Sequence, residues 1–310
     1  MILNPKYDSI VVLGPTASGK TKLAVALAGM YGGHILSADS RMVYTQMDIG
    51  TGKDLDEYFF DGKPIPYSLI NVCHPSQQYH IYQYQKEFKE AFNALVQTNI
   101  VPIICGGSGL YLEAVIQDFT FTAIPNLPSF KQGLNGLNLT QLQEIFDSYP
   151  ANAFTQKADL GSIKRAQRAI EMAEYLKQNP SFILAQPKPL RPFIIGLEPG
   201  LNQRRENILK RLAHRLNNGL IEEVISLRQN GITDDKLAYF GLEYKFVLSY
   251  LLNQLSKEHL QEKLGIAIQQ FAKRQMTYFR KMEKAGLHIH WVKNQQEAMD
   301  LAQTCFIPSP

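Results

Sequence analysis

Residues 14–21 read Gly14-Pro15-Thr16-Ala17-Ser18-Gly19-Lys20-Thr21, and this octet restricts the folds open to the chain more than any other stretch. Its spacing, a glycine, four residues, then Gly-Lys-Thr, is that of a P-loop. An apolar β-branched run, Ile10-Val11-Val12-Leu13, precedes it, and Leu23, Ala24, Leu27 and Ala28 follow at helical spacing. The glycines therefore fall where a strand turns into a helix, the setting in which the motif has a mechanism. Gly14 and Gly19 let the backbone curl so that N–H groups point inward at phosphate oxygens. The helix N-terminus adds a favourable dipole, Lys20 neutralises a terminal phosphate, and the Thr21 hydroxyl can ligate Mg²⁺. Average composition produces such an octet by chance in roughly one chain of this length in a hundred, and the flanks lower that rate further. The octet predicts a phosphate-binding site.

A sheet carrying such a loop must be buried on both faces, and 310 residues with 45% hydrophobic content supply the material. The net charge of +4 permits a polyanionic partner without demanding one. Cys73, Cys105 and Cys305 are odd in number and far apart, which argues against a disulfide framework or a zinc site and fits a reducing cytosol. The start, MILNPKYDSI, lacks the basic-then-apolar pattern of a signal peptide. No run approaches the roughly 18 apolar residues of a membrane span. The expectation is a cytoplasmic protein, monomeric, with no membrane partner.

The first 118 residues alternate strand and helix signals. Strands are predicted at 10–13, 34–37, 67–72 and 100–105, with a helix over 79–99 carrying Tyr82, Phe88, Phe92 and Leu95. Such alternation predicts an α/β fold, a P-loop NTPase-like parallel sheet flanked by helices. Composition shifts at 119, and 119–190 reads as a mostly helical insertion with helices at about 139–148 and 160–178. The core, 1–118, resumes over 191–310. Residues 192–197 form a strand, Asn202 caps a helix through 217, helices follow at 219–229, 243–254 and 257–284, and His288–Val292 is a last strand.

In sheets of this kind, sites form beyond the carboxyl ends of strands. Three such ends are polar or glycine-rich: the P-loop, Asp39-Ser40-Arg41, and Gly106-Gly107-Ser108-Gly109. Asp39 can be a magnesium ligand, a general base, or simply a helix N-cap. The glycines of 106–109 allow close approach to a ligand or a tight turn. The GTGK at 50–53 is not a second P-loop, because Met47 stands where the first glycine belongs and Asp54 where Ser or Thr does. Basic residues cluster at Lys157, Lys164, Arg165 and Arg168; at Arg204, Arg205, Lys210, Arg211 and Arg215; and at Lys273, Arg274, Arg280, Lys281 and Lys284. Each cluster alone fits a solvated helix face, and together they suit an RNA backbone if the fold brings them together.

GPTASGKT at 14–21, SADSRMVYTQMDIGTGK at 37–53, PIICGGSGLY at 102–111 and AKRQMTYFR at 272–280 resemble, in that order, the motifs of the tRNA dimethylallyltransferases, also called tRNA isopentenyltransferases. The segment 201–227 resembles the family as well. The resemblance implies that the P-loop, residues Gly14 to Thr21, binds dimethylallyl diphosphate with Mg²⁺. It implies transfer of the five-carbon group to N6 of the adenosine 3′ to a tRNA anticodon, with release of pyrophosphate. Asp39 corresponds to the family's general base, and Thr16 is paired with it near the reacting atoms. Ser40, Arg41, Gly106, Gly107, Ser108, Lys273, Arg274 and Gln275 fall in segments associated with the substrate channel. The insertion, with Lys164, Arg165 and Arg168, corresponds to the part that grips the anticodon stem-loop. A loop-buried adenine must be extruded to reach such a site.

The chain departs from the family pattern in places. The start of the insertion reads IPNLPSFK, Asp159-Leu160-Gly161-Ser162 precedes its last helix, and Met42 replaces a frequent glutamine. Glu243-Tyr244-Lys245 replaces Gly-Tyr-Lys, with no arginine just before it, so a diphosphate-binding arginine found there in some members is missing or supplied from elsewhere. Alternatives to tRNA prenylation are prenylation of free AMP, or a P-loop kinase or nucleotide- or RNA-binding protein without prenyl transfer.

Overall fold

The structure, a computed structural model, describes residues 2–152 and 154–307, with the backbone alone at residues 2, 157 and 307. The chain falls into two compact units, Met1–Asp118 with Pro189–Pro310, and Phe119–Lys188.

The first unit is built on six strands: β1 (Ser9–Leu13), β2 (Gly33–Ser37), β3 (Tyr67–Ser68), β4 (Val101–Gly106), β5 (Pro192–Leu197) and β6 (Ile289–Val292). All run parallel, in the spatial order β3-β2-β4-β1-β5-β6. β1 is buried throughout, and its continuous apolar run follows from cover on both faces. Successive side chains point to opposite faces. Ile10 and Val12 pack with Leu23, Ala24 and Leu27 of α1 (Lys20–Tyr31). Val11 and Leu13 face a second apolar cluster, which includes Phe88 of α2 (Ile81–Gln97) and Leu112 of α3 (Gly109–Ile116). Each fully buried aliphatic side chain contributes about 1.5–3 kcal/mol.

The carboxyl ends of the central strands lie level. Leu13 stands beside Gly106 of β4 and Gly196 of β5, and Ser37 beside Cys105. From β1 the chain leaves to one side for β2, and β5 and β6 are later added on the other. That reversal opens a crevice beyond β1.

The second unit packs α4 (Leu139–Asp147) and α5 (Ile163–Gln178) around Leu142, Phe146, Phe154, Ala166 and Ile170. Asn138 and Gln141 form a reciprocal cap at the start of α4, and Ser162 caps α5.

The first unit then continues through α6 (Leu201–Asn217), α7 (Leu220–Gln229), α8 (Asp234–Phe240), α9 (Leu242–Leu251), α10 (Lys257–Lys284) and α11 (Gln295–Gln303). Three details differ from the sequence reading. Only Tyr67–Ser68 of 67–72 is strand, because Leu69 and Asn71 take positive φ, 67° and 58°, and end the extended run. Asn202 lies inside the first turn of α6, whose cap position is Gly200. Helices α8 and α11 are additional; their N-caps are Thr233, which accepts from Lys236 N–H, and Asn294, which accepts from Glu297 N–H. All three cysteines are free and buried. No helix among the described residues is long and apolar enough to cross a membrane.

Candidate active site

A cavity of about 760 Å³ opens beyond β1 in the first unit. Thr16, Ala17, Ser18, Gly19, Lys20 and Thr21 line it, while Gly14 and Pro15 are not among its lining. The loop's curl follows from backbone conformation: Ala17 has φ 61° and Gly19 has φ 92°. Left-handed residues turn consecutive N–H groups toward one concave side. Gly19 can hold this conformation because it has no Cβ.

The loop is fastened from α10. Gln275 is buried, accepts the Thr16 N–H through Oε1 at 2.8 Å, and donates Nε2 to the Gly107 carbonyl at 2.8 Å. One amide thus ties the P-loop to the turn after β4. Replacing Gln275 with alanine should strand a backbone donor and a backbone acceptor, each costing about 1–3 kcal/mol where water cannot reach it. Thermal denaturation should register the loss, and titration with pyrophosphate should show weaker binding. Unchanged values in both would remove Gln275 as the fastener.

Asp39 follows β2, and its position is set by close packing. A Cβ on Gly106 would lie 2.1 Å from the Ala38 carbonyl oxygen, so the turn after β4 lies flush against Ala38. Ser108 Oγ accepts the Ser40 N–H at 3.0 Å. Asp39 Oδ1 accepts the Arg41 N–H at 2.9 Å, which caps the turn 40–43. Its second oxygen has no hydrogen-bond partner among the described residues, and Asp39 lines the cavity. The cap and an available carboxylate oxygen therefore coexist.

The cavity is strongly charged. Burial lowers the pKa of Lys20; Cys105 and Asp39 oppose the shift, and Arg211 and Arg215 add to it. Burial likewise lowers Arg211, to about 10, assisted by Arg215. Glu243, on α9, is raised by burial against the pull of its own backbone N–H, Arg215 and Arg211. Arg211 donates to Thr16 Oγ1, and no hydrogen bond joins Thr16 to Asp39.

The basic clusters do not share one role. Arg211 and Arg215 line the cavity, while Arg204 is buried and paired with Glu198 at 2.5 Å. Arg274 lines the cavity over Phe271, Lys273 is exposed and outside the lining, and Arg41 lies over Tyr239. In the second unit, Arg168 holds Glu171 and the carbonyls of Ile124 and Pro125. Glu171 in turn accepts Leu127 N–H, so Arg168 is an internal brace. Lys164 and Arg165 are exposed, with Arg165 paired to Asp159 at 3.1 Å. The Lys157 side chain lies outside the described residues.

Sequence reasoning missed Asn207, Arg211, Arg215 and Glu243 as cavity residues. The first three recur every fourth residue on α6, each immediately before Ile208, Leu212 or Leu216 of the core. Polar residues at the margin of an apolar stripe face a groove, and that spacing is the signal that could have found them.

A parallel sheet with a P-loop after β1 and an acid after β2, two strands away, defines a class of phosphate-binding α/β enzymes. Comparison with known proteins narrows it. The family model described as IPP transferase matches residues 42–282, and that described as isopentenyl transferase matches 8–71. The tRNA dimethylallyltransferase 1 of Parabacteroides distasonis is 43% identical over 287 residues, covering 92% of each chain. That of Porphyromonas gingivalis is 46% identical over 283 residues, covering 91% of this chain and 93% of its own. Among solved structures, the tRNA isopentenylpyrophosphate transferase of Staphylococcus epidermidis is similar with a TM-score of 0.66 at 28% identity, covering 95% of this chain and 97% of its own. That of Bacillus halodurans has a TM-score of 0.68 at 26% identity, covering 96% and 95%. The chain belongs to the IPP transferase family and is a transferase.

Proposed function

We propose that this protein transfers the dimethylallyl group from dimethylallyl diphosphate to N6 of adenosine 37 in tRNA and releases pyrophosphate. The observation that carries this reading is the meeting, in one cavity, of the P-loop and the Asp39 carboxylate. The P-loop amides and Lys20 would hold the diphosphate and stabilise the charge that develops as the C1–oxygen bond breaks. The N6 amine forms the new bond to C1 and gives up a proton, which the open oxygen of Asp39 can take.

Residues for Mg²⁺ are present. The Thr21 hydroxyl lines the cavity without a hydrogen-bond partner among the described residues, and a magnesium ion needs few protein ligands when substrate phosphates supply others. Bound there by Thr21 and phosphate oxygens, it would neutralise the leaving group.

We assign the anticodon stem-loop to the second unit, a reading supported by the exposure of Lys164 and Arg165. Replacing both with glutamine should lower the slope of log affinity against log salt by about 2 if both touch phosphate. Filter binding of tRNA at several salt concentrations measures this; an unchanged slope would remove them from the backbone contact. Arg168 is left in place because its loss would unfasten Glu171. We place the reaction in the cytoplasm, carried out by a monomer.

The test is transfer of labelled dimethylallyl group to unmodified tRNA, with AMP in a parallel reaction. Label on tRNA and not on AMP supports the reading. Label on AMP alone would assign the protein to nucleotide prenylation.

A further inference from the structure

Single exposed apolar residues are ordinary, and the first unit has several, among them the rings of Phe59, Tyr67, Tyr82, Tyr239 and Phe271. Two of these rings carry a guanidinium. Arg41 stands over Tyr239, 5.0 Å from its centroid, and Arg274 over Phe271 at 5.8 Å. Both arginines line the cavity. Phe271 lines it as well and belongs to its interior. Tyr239 is not among the lining, although Ala238 and Phe240 on either side of it are. It therefore stands at the rim, 63% exposed, and its hydroxyl has no hydrogen-bond partner among the described residues.

The ring is held in place from beneath. Leu237 and Phe240, three residues apart, are buried and anchor α8, which leaves Tyr239 on its outer side. Phe240 packs edge-on against Tyr44 at 4.8 Å and meets the Tyr239 ring edge-on at 6.0 Å. Lys236, on the same helix, donates to the Ser76 carbonyl. The Arg41 side chain has no ion pair among the described residues, and its backbone N–H donates to Asp39 Oδ1 at 2.9 Å. Ring, guanidinium and the Asp39 carboxylate thus form one connected assembly at the mouth of the cavity.

We propose that Tyr239 stacks an unpaired base of the RNA acceptor, the one beside the extruded adenosine. This rests on the prenyl-transfer reading and deepens it by naming a protein group that replaces the stacking lost in the RNA. Drawing the adenosine into the cavity unstacks it and leaves a neighbouring base with a bare face. An aromatic ring at the rim covers that face, and it does so for any base, because every base has a π face. The base takes the side of the ring that Arg41 leaves open. Arg41 completes the platform with a cation that no acidic side chain neutralises, beside a polyanionic partner.

Filter binding and single-turnover rates test this on the unsubstituted protein, Tyr239→Leu and Tyr239→Phe. The RNAs are unmodified tRNA and the same tRNA made abasic at the nucleotide before, or after, the target adenosine. With intact tRNA, Tyr239→Leu should bind about 5–150-fold more weakly, the range of one lost base–aromatic stack. Its rate at saturating tRNA and its affinity for pyrophosphate should stay unchanged. Tyr239→Phe should bind like the unsubstituted protein, because the ring is kept. One of the two abasic tRNAs should bind the unsubstituted protein and Tyr239→Leu equally, since the stack is already missing there. Melting temperatures check the fold; if leucine disturbs it, Tyr239→Gln, polar at this exposed site, carries the comparison. Unaltered affinity of Tyr239→Leu for intact tRNA, or the same loss with all three tRNAs, would overturn the proposal. A slower rate or weaker pyrophosphate binding with unaltered tRNA affinity would make Tyr239 a support for Arg41 and overturn it likewise. Failure of the unsubstituted protein to bind and modify intact tRNA would overturn the prenyl-transfer reading itself.

Discussion

Asp39→Asn lowers turnover by about 10²–10⁴-fold, the span of general acid–base catalysis, while tRNA and pyrophosphate still bind. Asparagine is the informative substitution because Asp39 has two occupations. Its Oδ1 caps the turn 40–43 through Arg41 N–H, and an asparagine oxygen can do the same. The amide cannot take a proton from the acceptor amine. Alanine removes cap and base together, so its loss of rate would mix a loosened turn with missing chemistry. Steady-state kinetics on the two variants separates the contributions. Normal turnover in Asp39→Asn would remove Asp39 as the base and leave it a structural cap.

Lys20→Met has the second large effect. Removing the amine should reduce affinity for pyrophosphate by about 10²–10³-fold, comparable to loss of one preorganised donor at a developing anion. The same substitution should leave the melting temperature unchanged or raise it. Burial holds the folded pKa of Lys20 below its unfolded value. The charged form is thus disfavoured in the fold, and stability contributed through this group rises as pH rises through that lowered pKa. An apolar side chain of similar length escapes the cost, the common trade between stability and function. Pyrophosphate reverses the balance by favouring the charged amine. Its affinity should therefore fall as pH rises through the lowered titration of Lys20, with proton uptake on binding in that range. A flat affinity across that range would mean that Lys20 does not meet the anion.

The parts of this fold written in local sequence were legible: the buried strand at 192–197, the long helix at 257–284, and the strand-to-helix turn at the P-loop. Each rests on periodicity or on a turn that only certain residues tolerate. Residues 67–72 misled because their apolar content matches a strand, whereas positive φ at Leu69 and Asn71 breaks it. A residue's place in the cavity was legible where it depends on its own loop, as for Lys20 and Asp39. It was not where the role depends on a partner far along the chain. Resemblance places Gln275 in a channel segment, yet what it does is join Thr16, 259 positions away, to the carbonyl of Gly107. Arg168, Arg211 and Arg215 look alike in a basic helix. Glu171 makes the first a brace, Asp54 fixes the third, and the second donates to the Thr16 hydroxyl of the P-loop.

The most direct test is a single-turnover reaction of the protein with dimethylallyl diphosphate, Mg²⁺ and unmodified tRNA bearing adenosines at positions 36 and 37, followed by digestion and mass spectrometry of the nucleosides. The account predicts dimethylallyl on N6 of adenosine 37, one pyrophosphate released per tRNA modified, and both products formed about 10²–10⁴-fold more slowly with Asp39→Asn. Pyrophosphate release without modified tRNA, or modification of AMP alone, would contradict it.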